Sequence, residues 1–230
     1  GTMAALALCA APKGDGYPFD GFTGFSVSNM TERLEATGFS VAAWVRVEDV
    51  ARSQMFLTMG EPGQDFSLYL FNGAVRMLVE GEEGKYGFAL AKAPQAGVWT
   101  HYAGTYDGKV AKIYRNGVLE GEKAITLKRE RFKAPLTAGV VMGSADRILK
   151  GAMTDIRVWN RVLDAVEVQT VHKDEARQGL SDKLVCHWMT HPTDTTVANG
   201  VKGAPELVKV QPTHATIQNR KVDGFRGIWY

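Results

Sequence analysis

The stretch WTHYAGTYDGKVAKIYRNG, residues 99–117, decides the fold class of this protein. It holds two apolar-rich runs, and each run is followed by an Asx-Gly pair, Asp107-Gly108 and Asn116-Gly117. Such pairs favour tight turns, because glycine and asparagine accept positive φ angles with little strain. The stretch therefore predicts antiparallel hairpins.

The same alternation of apolar and polar residues continues through most of the chain. Residues 39–47 and 66–71 alternate with period two, and the second run is followed by Asn72-Gly73 and a partner run at 74–80. Strand-like runs recur at intervals of about ten residues, as they do in β-sandwiches. The pattern predicts an all-β fold.

One late segment departs from this alternation. Asp164, with Glu167 three residues later, has the form of a capping box, and partly helical spacing of valines follows. We expect one short helix near 164–176. Because neither an internal repeat nor a low-complexity linker is present, residues 1–220 are predicted to form one domain. Residues 221–230 are then a tail or the start of a following domain.

Net charge and the length of apolar runs limit the kinds of partner that we expect for this protein. The 230 residues include 27 basic and 25 acidic side chains, for a net charge of +2, so no nucleic-acid partner is expected. No run approaches the roughly 18 apolar residues that cross a membrane as a helix.

Cys9 and Cys186 lie near opposite ends of the chain. They can form a disulfide if the terminal strands pair, or remain two buried free thiols.

Several motifs together resemble the laminin-G-like, concanavalin-A-like family. The matching segments, in chain order, are residues 16–29, 39–47, 97–117, 151–168 and 184–192. Among them are the hairpin pattern W-x-H-x-A-x-x-Y-D-G and the closing pattern G-x-x-D with N-R-x-L. The resemblance covers about residues 16 to 210 and implies a jelly-roll sandwich of two antiparallel sheets.

The resemblance also implies a structural metal site. Related modules often hold one calcium ion between the first strand pair and the last strand, where Asp20 and Asp155 are the matching acids. Calcium takes six to eight oxygen ligands, so carbonyl groups and water must complete the shell. The alternative role for Asp155 is a hydrogen bond at a turn or strand edge.

Catalytic motifs are missing from the sequence. Glycoside hydrolases of the resembled fold carry an E-x-D-x-x-E strand, which places carboxylates around the sugar. The acidic clusters here, at 80–83 and 174–175, do not match that pattern, and no nucleophile elbow, H-E-x-x-H or P-loop occurs. We therefore expect this chain to have no catalytic residues.

The aromatic residues fall into two sets with different expected positions. Trp44, Trp99, Trp159 and Trp188 occupy family-motif positions on strands and are predicted to lie in the core. In residues 66–71, Tyr69 and Phe71 alternate away from the core-facing positions, and Arg76 does so on the partner strand. Tyr69 and Arg76 are therefore predicted to stand near one another outside the core.

This outer surface is the predicted binding site for carbohydrate. Sugar rings stack on aromatic faces, while their hydroxyl groups need directional hydrogen bonds from polar side chains. The candidate residues are Tyr69, Phe71 and Arg76 on the sheet, with Asp65, Lys85 and Tyr86 on loops at its edge. The alternative is that these side chains form cross-strand pairs that only protect the sheet.

The last residues suggest a larger parent protein. DGFRGIWY, residues 223–230, resembles the first strand of a BNR-repeat, sialidase-like propeller; alternatively it is an arm that packs on the sandwich. The first interpretation makes the chain a noncatalytic carbohydrate-binding module of a larger secreted enzyme, a glycoside hydrolase, sialidase-like enzyme or lyase. We expect a monomeric, extracytoplasmic, bacterial module tethered to its catalytic domain. The alternative function is protein interaction or a structural role; an enzyme on the same fold is the least favoured.

Overall fold

The structure is a computed structural model that describes residues 11–28, 30–34, 37–60, 65–129, 135–141 and 147–211. Its strands, in chain order, are β1 (Tyr17–Asp20), β2 (Gly24–Val27), β3 (Phe39–Val47), β4 (Gln54–Met59), β5 (Phe66–Phe71), β6 (Ala74–Glu80), β7 (Tyr86–Lys92), β8 (Thr100–Tyr106), β9 (Val110–Arg115), β10 (Val118–Ala124), β11 (Leu136–Ala138), β12 (Lys150–Trp159), β13 (Leu184–Trp188), β14 (Thr196–Val197) and β15 (Leu207–Val210). One α-helix, α1 (Ala165–Lys173), and two 3₁₀ turns, Thr31–Arg33 and Glu82–Gly84, complete the described elements.

The strands form two antiparallel sheets, which confirms the predicted jelly-roll sandwich. Sheet I has the order β1-β12-β3-β8-β9-β10, and β13 also pairs with β12. Sheet II has the order β14-β15-β2-β11-β4-β5-β6-β7. In β12, residues 150–153 pair with β1 and residues 156–159 pair with β13, so the terminal part of the chain returns beside its first strand.

The turns follow the chemistry of their sequence. Asn72 and Gly73 join β5 to β6 with φ angles of 48° and 75°, and Asn116 and Gly117 join β9 to β10 with 51° and 77°. Positive φ at both central residues matches the twist of the flanking strands. The Asp107 carboxylate turns the chain between β8 and β9 by accepting hydrogen bonds from the next backbone amides. The hairpins predicted from residues 99–117 are confirmed.

Alternate residues of each strand fill the space between the sheets. On β5 and β6 the core-facing residues are Phe66, Leu68, Leu70, Val75, Met77 and Val79, all fully buried. Burying one such side chain stabilises the fold by about 1.5–3 kcal/mol. The residues between them, including Tyr69 and Arg76, consequently point to the outer face of sheet II.

Helix α1 covers the outer face of sheet I. It is shorter than the predicted 164–176, because Asp164 is the N-cap of a complete capping box with Glu167 and Asp174 ends the helix with a φ of 52°. A second apolar cluster lies between this helix and the sheet, formed by Ala42, Ala103, Tyr114, Trp159, Leu163, Val168 and Val171.

The four tryptophans that were predicted to lie in the core occupy different places. Trp188 is buried between the sheets. Trp44 and Trp159 are buried too, but on the outer face of sheet I, because Val41, Ala43 and Val45 already take the inward positions of β3. Trp99 is only partly buried, with the Arg46 guanidinium 5.2 Å from its ring centre.

Candidate functional site

The candidate site is the outer face of β5, β6 and β7 in sheet II. Tyr69 is directly opposite Arg76, and Arg76 is directly opposite Leu90, so these side chains form one row across the strands. Phe71 and Phe88 flank this row on β5 and β7. The structure therefore places Tyr69, Phe71 and Arg76 together on the predicted face.

Arg76 lies at the centre of this face. Its Cζ atom lies 4.5 Å from the ring centre of Phe71 and 4.4 Å from that of Phe88, and both contacts are cation–π interactions. The guanidinium also hydrogen-bonds the Tyr69 hydroxyl. Its Nε is buried and has no hydrogen-bond partner in the described part of the chain.

The ring of Tyr69 is too deeply buried to stack against a sugar ring. Only 6% of it is exposed, because Met55 and Val141 pack against it in a small apolar cluster. Burial raises the pKa of its hydroxyl, although Arg76 and Arg147 act in the opposite direction. Tyr69 therefore positions Arg76 and does not present its ring to solvent.

Tyr86 is the exposed aromatic residue of the face. It begins β7 and is 55% exposed, whereas the sequence predicted that it lies on a loop. Its cross-strand neighbour is Glu80, and Leu90 continues the exposed surface along the same strand. Leu90 lies directly opposite Arg76, and Tyr86 lies four residues away at the other end of the same outer strip of β7.

Arg147 was missed by the sequence analysis. It precedes β12, and its Cζ atom lies 5.0 Å from the ring centre of Phe71. Two guanidinium groups, those of Arg76 and Arg147, thus approach the same aromatic ring. No local pattern predicts this contact, because it depends on how the segment before β12 packs on β5.

Asp65, which the sequence predicted as a sugar ligand, does not belong to the exposed surface. Its two carboxylate oxygens accept hydrogen bonds of 2.6 and 2.8 Å from the Arg129 guanidinium, and both side chains are buried. A carboxylate that is held in a buried ion pair cannot also bind sugar hydroxyls without breaking that pair. Arg129 is 64 positions away, so neighbouring residues gave no sign of the pairing.

The predicted calcium ligands lie apart. Asp20 pairs with Lys150 in the β1–β12 register, and Asp155 is five residues further along β12, a separation on the order of 15 Å in a strand. The Asp20 carboxylate accepts hydrogen bonds from Phe22 and Thr23 and thereby forms a turn. The structure therefore does not bring the two predicted ligands together around one ion.

Asp155 belongs to a buried charge network instead. It accepts hydrogen bonds from Arg157 at 2.6 and 3.0 Å and contacts the His187 Nε2 at 2.8 Å; Arg157 also binds Asp174 at the end of α1. Burial acts to raise the pKa of Asp155, but the hydrogen bonds from His187 and Arg157 outweigh burial and lower it to about 2. The network attaches β13 and α1 to β12.

Two buried histidines lie close to this network. His101 on β8 and His172 on α1 lie beside Trp44, and no ring nitrogen of His101 has a hydrogen-bond partner among the described residues. Burial lowers the pKa of His101 to about 3, so the ring is neutral under ordinary conditions. In the described residues, no cluster of three or more His, Cys, Asp or Glu side chains is arranged to bind a metal ion.

The remaining residues that the sequence singled out are Lys85, the two cysteines and residues 221–230. Lys85 lines a cleft of about 290 Å³ with Glu82, Thr126, Leu127 and Lys128, next to the β6–β7 turn. Cys186 is buried, and its Sγ lies 3.7 Å from the Met30 Sδ. Cys9 and residues 221–230 lie outside the described residues, so the disulfide and the following domain stay predictions. In the described part of the chain, no helix is long and apolar enough to span a membrane.

Comparison with protein families supports the fold. The family model described as the concanavalin A-like lectin/glucanases superfamily, Laminin_G_3, matches residues 19–169. No curated protein matches the chain.

Three solved structures illustrate the structural similarity. A candidate carbohydrate-binding protein from Bacteroides ovatus aligns with a TM-score of 0.61 at 14% identity, over 84% of this chain and 57% of that one. The receptor-binding domain of botulinum neurotoxin mosaic serotype C/D gives 0.58 at 14% identity, over 70% and 45%. Domain 4 of AbnA, an extracellular arabinanase from Geobacillus stearothermophilus in complex with arabinotriose, gives 0.54 at 20% identity, over 67% and 75%.

These similarities concern the fold. The chain covers less than two thirds of the length of the Bacteroides ovatus protein and of the toxin domain. At these identities the ligand of a neighbour does not carry over, because unrelated functions share this sandwich.

Proposed function

The chain belongs to the concanavalin A-like lectin/glucanase superfamily, and from this membership we propose that it is a noncatalytic carbohydrate-binding module. Its binding surface is the outer face of β5, β6 and β7. The observation that carries the proposal is the exposed Tyr86 ring on the same face as the Arg76 guanidinium, which Phe71 and Phe88 hold in place.

This combination suits the chemistry of a sugar. The C–H bonds of a sugar ring pack on apolar and aromatic surface, which Tyr86 and Leu90 provide. Hydroxyl groups require donors and acceptors of fixed direction. A planar guanidinium that is already held between two rings loses little side-chain entropy when it donates to them.

The same face argues against catalysis. Hydrolysis of a glycosidic bond normally uses two carboxyl groups on either side of the bond. Strands β5, β6 and β7 contribute Glu80 as their acidic side chain, and it is almost fully buried. These three strands therefore provide no pair of carboxyl groups for hydrolysis.

The proposal includes a larger parent protein. The Geobacillus arabinanase is an extracellular enzyme that contains a domain of similar fold, and this precedent supports an accessory role for the present chain. We propose that the chain is secreted by a bacterium and tethered as a monomer to a polysaccharide-active domain. A structural calcium ion is retained as a prediction, without Asp20 and Asp155 as a pair.

Affinity gel electrophoresis tests the proposal. The purified protein is run through gels that contain arabinan, xylan, β-glucan, alginate, polygalacturonate or carrageenan, with calcium or with EDTA. We expect retardation by at least one polysaccharide. Retardation should be lost in Tyr86→Ala and kept in Phe22→Ala, which removes a 73% exposed aromatic ring from a distant loop.

The comparison of Tyr86→Ala with Phe22→Ala shows whether the binding surface is the outer face of sheet II. If both variants lose retardation equally, the binding surface is not the outer face of sheet II. If no polysaccharide retards the protein under either condition, the carbohydrate-binding function is contradicted and a protein-interaction or structural role is favoured.

A further inference from the structure

Arg76 is held in place without the carboxylate partner that several other arginines of this protein have. In the described part of the chain, the arginines that pair with carboxylates are Arg115, Arg129, Arg157, Arg161 and, at the surface, Arg177. In the described part of the chain, Arg76 has no carboxylate partner. Its contacts are the rings of Phe71 and Phe88 and the hydroxyl of Tyr69.

The burial of Arg76 means that the lack of an anionic partner destabilises its charged form. The residue is partly buried, and its Nε is withdrawn from solvent with no acceptor. A shielded cation without an anionic partner is destabilised, because the rings replace only part of its hydration. An anion that is bound on this face would compensate the charge by pairing with the terminal amino groups of the guanidinium, which can donate to a bidentate anion.

The charges around Arg76 also favour an anion. Arg147 approaches the same Phe71 ring, at 5.0 Å, and Lys92 follows Leu90 on the outer side of β7. The carboxylate of the face, Glu80, is four residues from Arg76 on β6, on the order of 13 Å along the strand. Among the described residues, this end of the face therefore carries the positive charges of Arg76, Arg147 and Lys92. The Glu120 carboxylate, which accepts a hydrogen bond of 2.8 Å from the Lys92 amide, is already paired with Arg115.

We infer that the glycan bound by this module is acidic, and that Arg76 pairs with its carboxylate or sulfate groups while Tyr86 contacts its apolar ring faces. The inference rests on the proposed function and adds the class of glycan. Arg147 adds a second positive charge near Phe71.

Binding isotherms with glycans of defined charge test this inference. Polygalacturonate provides carboxylates without sulfate, carrageenan provides sulfates without carboxylate, and arabinan and β-glucan are neutral. Polyglutamate serves as a polyanion without sugar rings. We expect binding to polygalacturonate or carrageenan, and the stronger of the two identifies the anionic group.

The matched variants are Arg76→Gln and Arg46→Gln. Both remove one stacked arginine charge, but Arg46 lies beside Trp99 on the other sheet. We expect Arg76→Gln to weaken binding roughly tenfold or more, as for the loss of a hydrogen bond to a charged group, and Arg46→Gln to leave it unchanged. Raising the salt concentration should weaken wild-type binding as well.

Each of the other possible outcomes overturns one part of the inference or the proposed function. Equal or tighter binding to neutral glycans overturns the acidic specificity but leaves the carbohydrate-binding function intact. Equal binding to polyglutamate, or equal loss in both variants, overturns the specific role of Arg76. Absence of binding to every glycan contradicts the proposed function and this inference together. Circular dichroism of both variants confirms that a loss of binding does not reflect unfolding.

Discussion

Tyr69 on β5 stands directly opposite Arg76 on β6 and hydrogen-bonds its guanidinium, so a buried ring fixes the cation on which the proposed site depends. Tyr69→Phe removes this bond and keeps the ring. We expect binding to weaken by roughly threefold, the effect of one modest hydrogen bond, with little change in stability. Isothermal titration with the bound glycan measures the first, and urea denaturation the second. Unchanged affinity would mean that the rings of Phe71 and Phe88 alone hold Arg76.

The Asp65–Arg129 pair gives a prediction about stability. Asp65→Ala leaves the buried Arg129 guanidinium without its carboxylate, and we expect the free energy of unfolding to fall by about 3–5 kcal/mol. Urea denaturation measures the loss. Glycan affinity, measured where the variant is still folded, should be unchanged because the pair lies outside the exposed surface. A selective loss of binding with full stability would return Asp65 to the site.

The hairpin of Tyr69 and Arg76 also shows what the sequence can predict. Period-two alternation and the Asn72-Gly73 turn determine the register, so the meeting of these two residues was predictable from a local pattern. Asp65 and Arg129 meet only when distant segments close the sandwich. The same holds for Arg147 beside Phe71 and for the helix over Trp44, because tertiary packing decides those contacts.

The buried histidines predict a loss of stability in acid. In the unfolded chain a histidine binds a proton near pH 6.5, whereas burial lowers the pKa of His101 to about 3 and also lowers that of His172. Below pH 6.5 the unfolded state therefore binds more protons, and stability falls as the pH falls. Thermal unfolding between pH 7 and pH 4 measures this slope.

Variants assign that slope to the histidines. His101→Phe keeps an apolar ring of similar size and should flatten the dependence between pH 6.5 and pH 4. His191→Gln removes an exposed histidine and should leave the slope unchanged. An identical slope in wild type and His101→Phe would show that His101 is not buried as a neutral ring.

The Asp155 network predicts a second, more acidic transition. The pKa of Asp155 is lowered to about 2, so the stability that its charge contributes is present above pH 3.8 and is lost as the pH falls through 2. Asp155→Asn leaves Arg157 and His187 without the carboxylate, and we expect a loss of about 3 kcal/mol at pH 7. Urea denaturation at pH 7 measures it, and a loss below about 0.5 kcal/mol, the range of ordinary surface substitutions, would contradict the structural role of the network.

The central claim is that glycan binds the outer face of β5, β6 and β7. The most direct measurement is an amide chemical-shift map of the ¹⁵N-labelled protein, titrated with an oligosaccharide of the polysaccharide that retards it. We expect the shifts to concentrate at Phe71, Arg76, Tyr86, Phe88 and Leu90, while helix α1 stays unchanged. Shifts that concentrate on sheet I or helix α1 would contradict the claim.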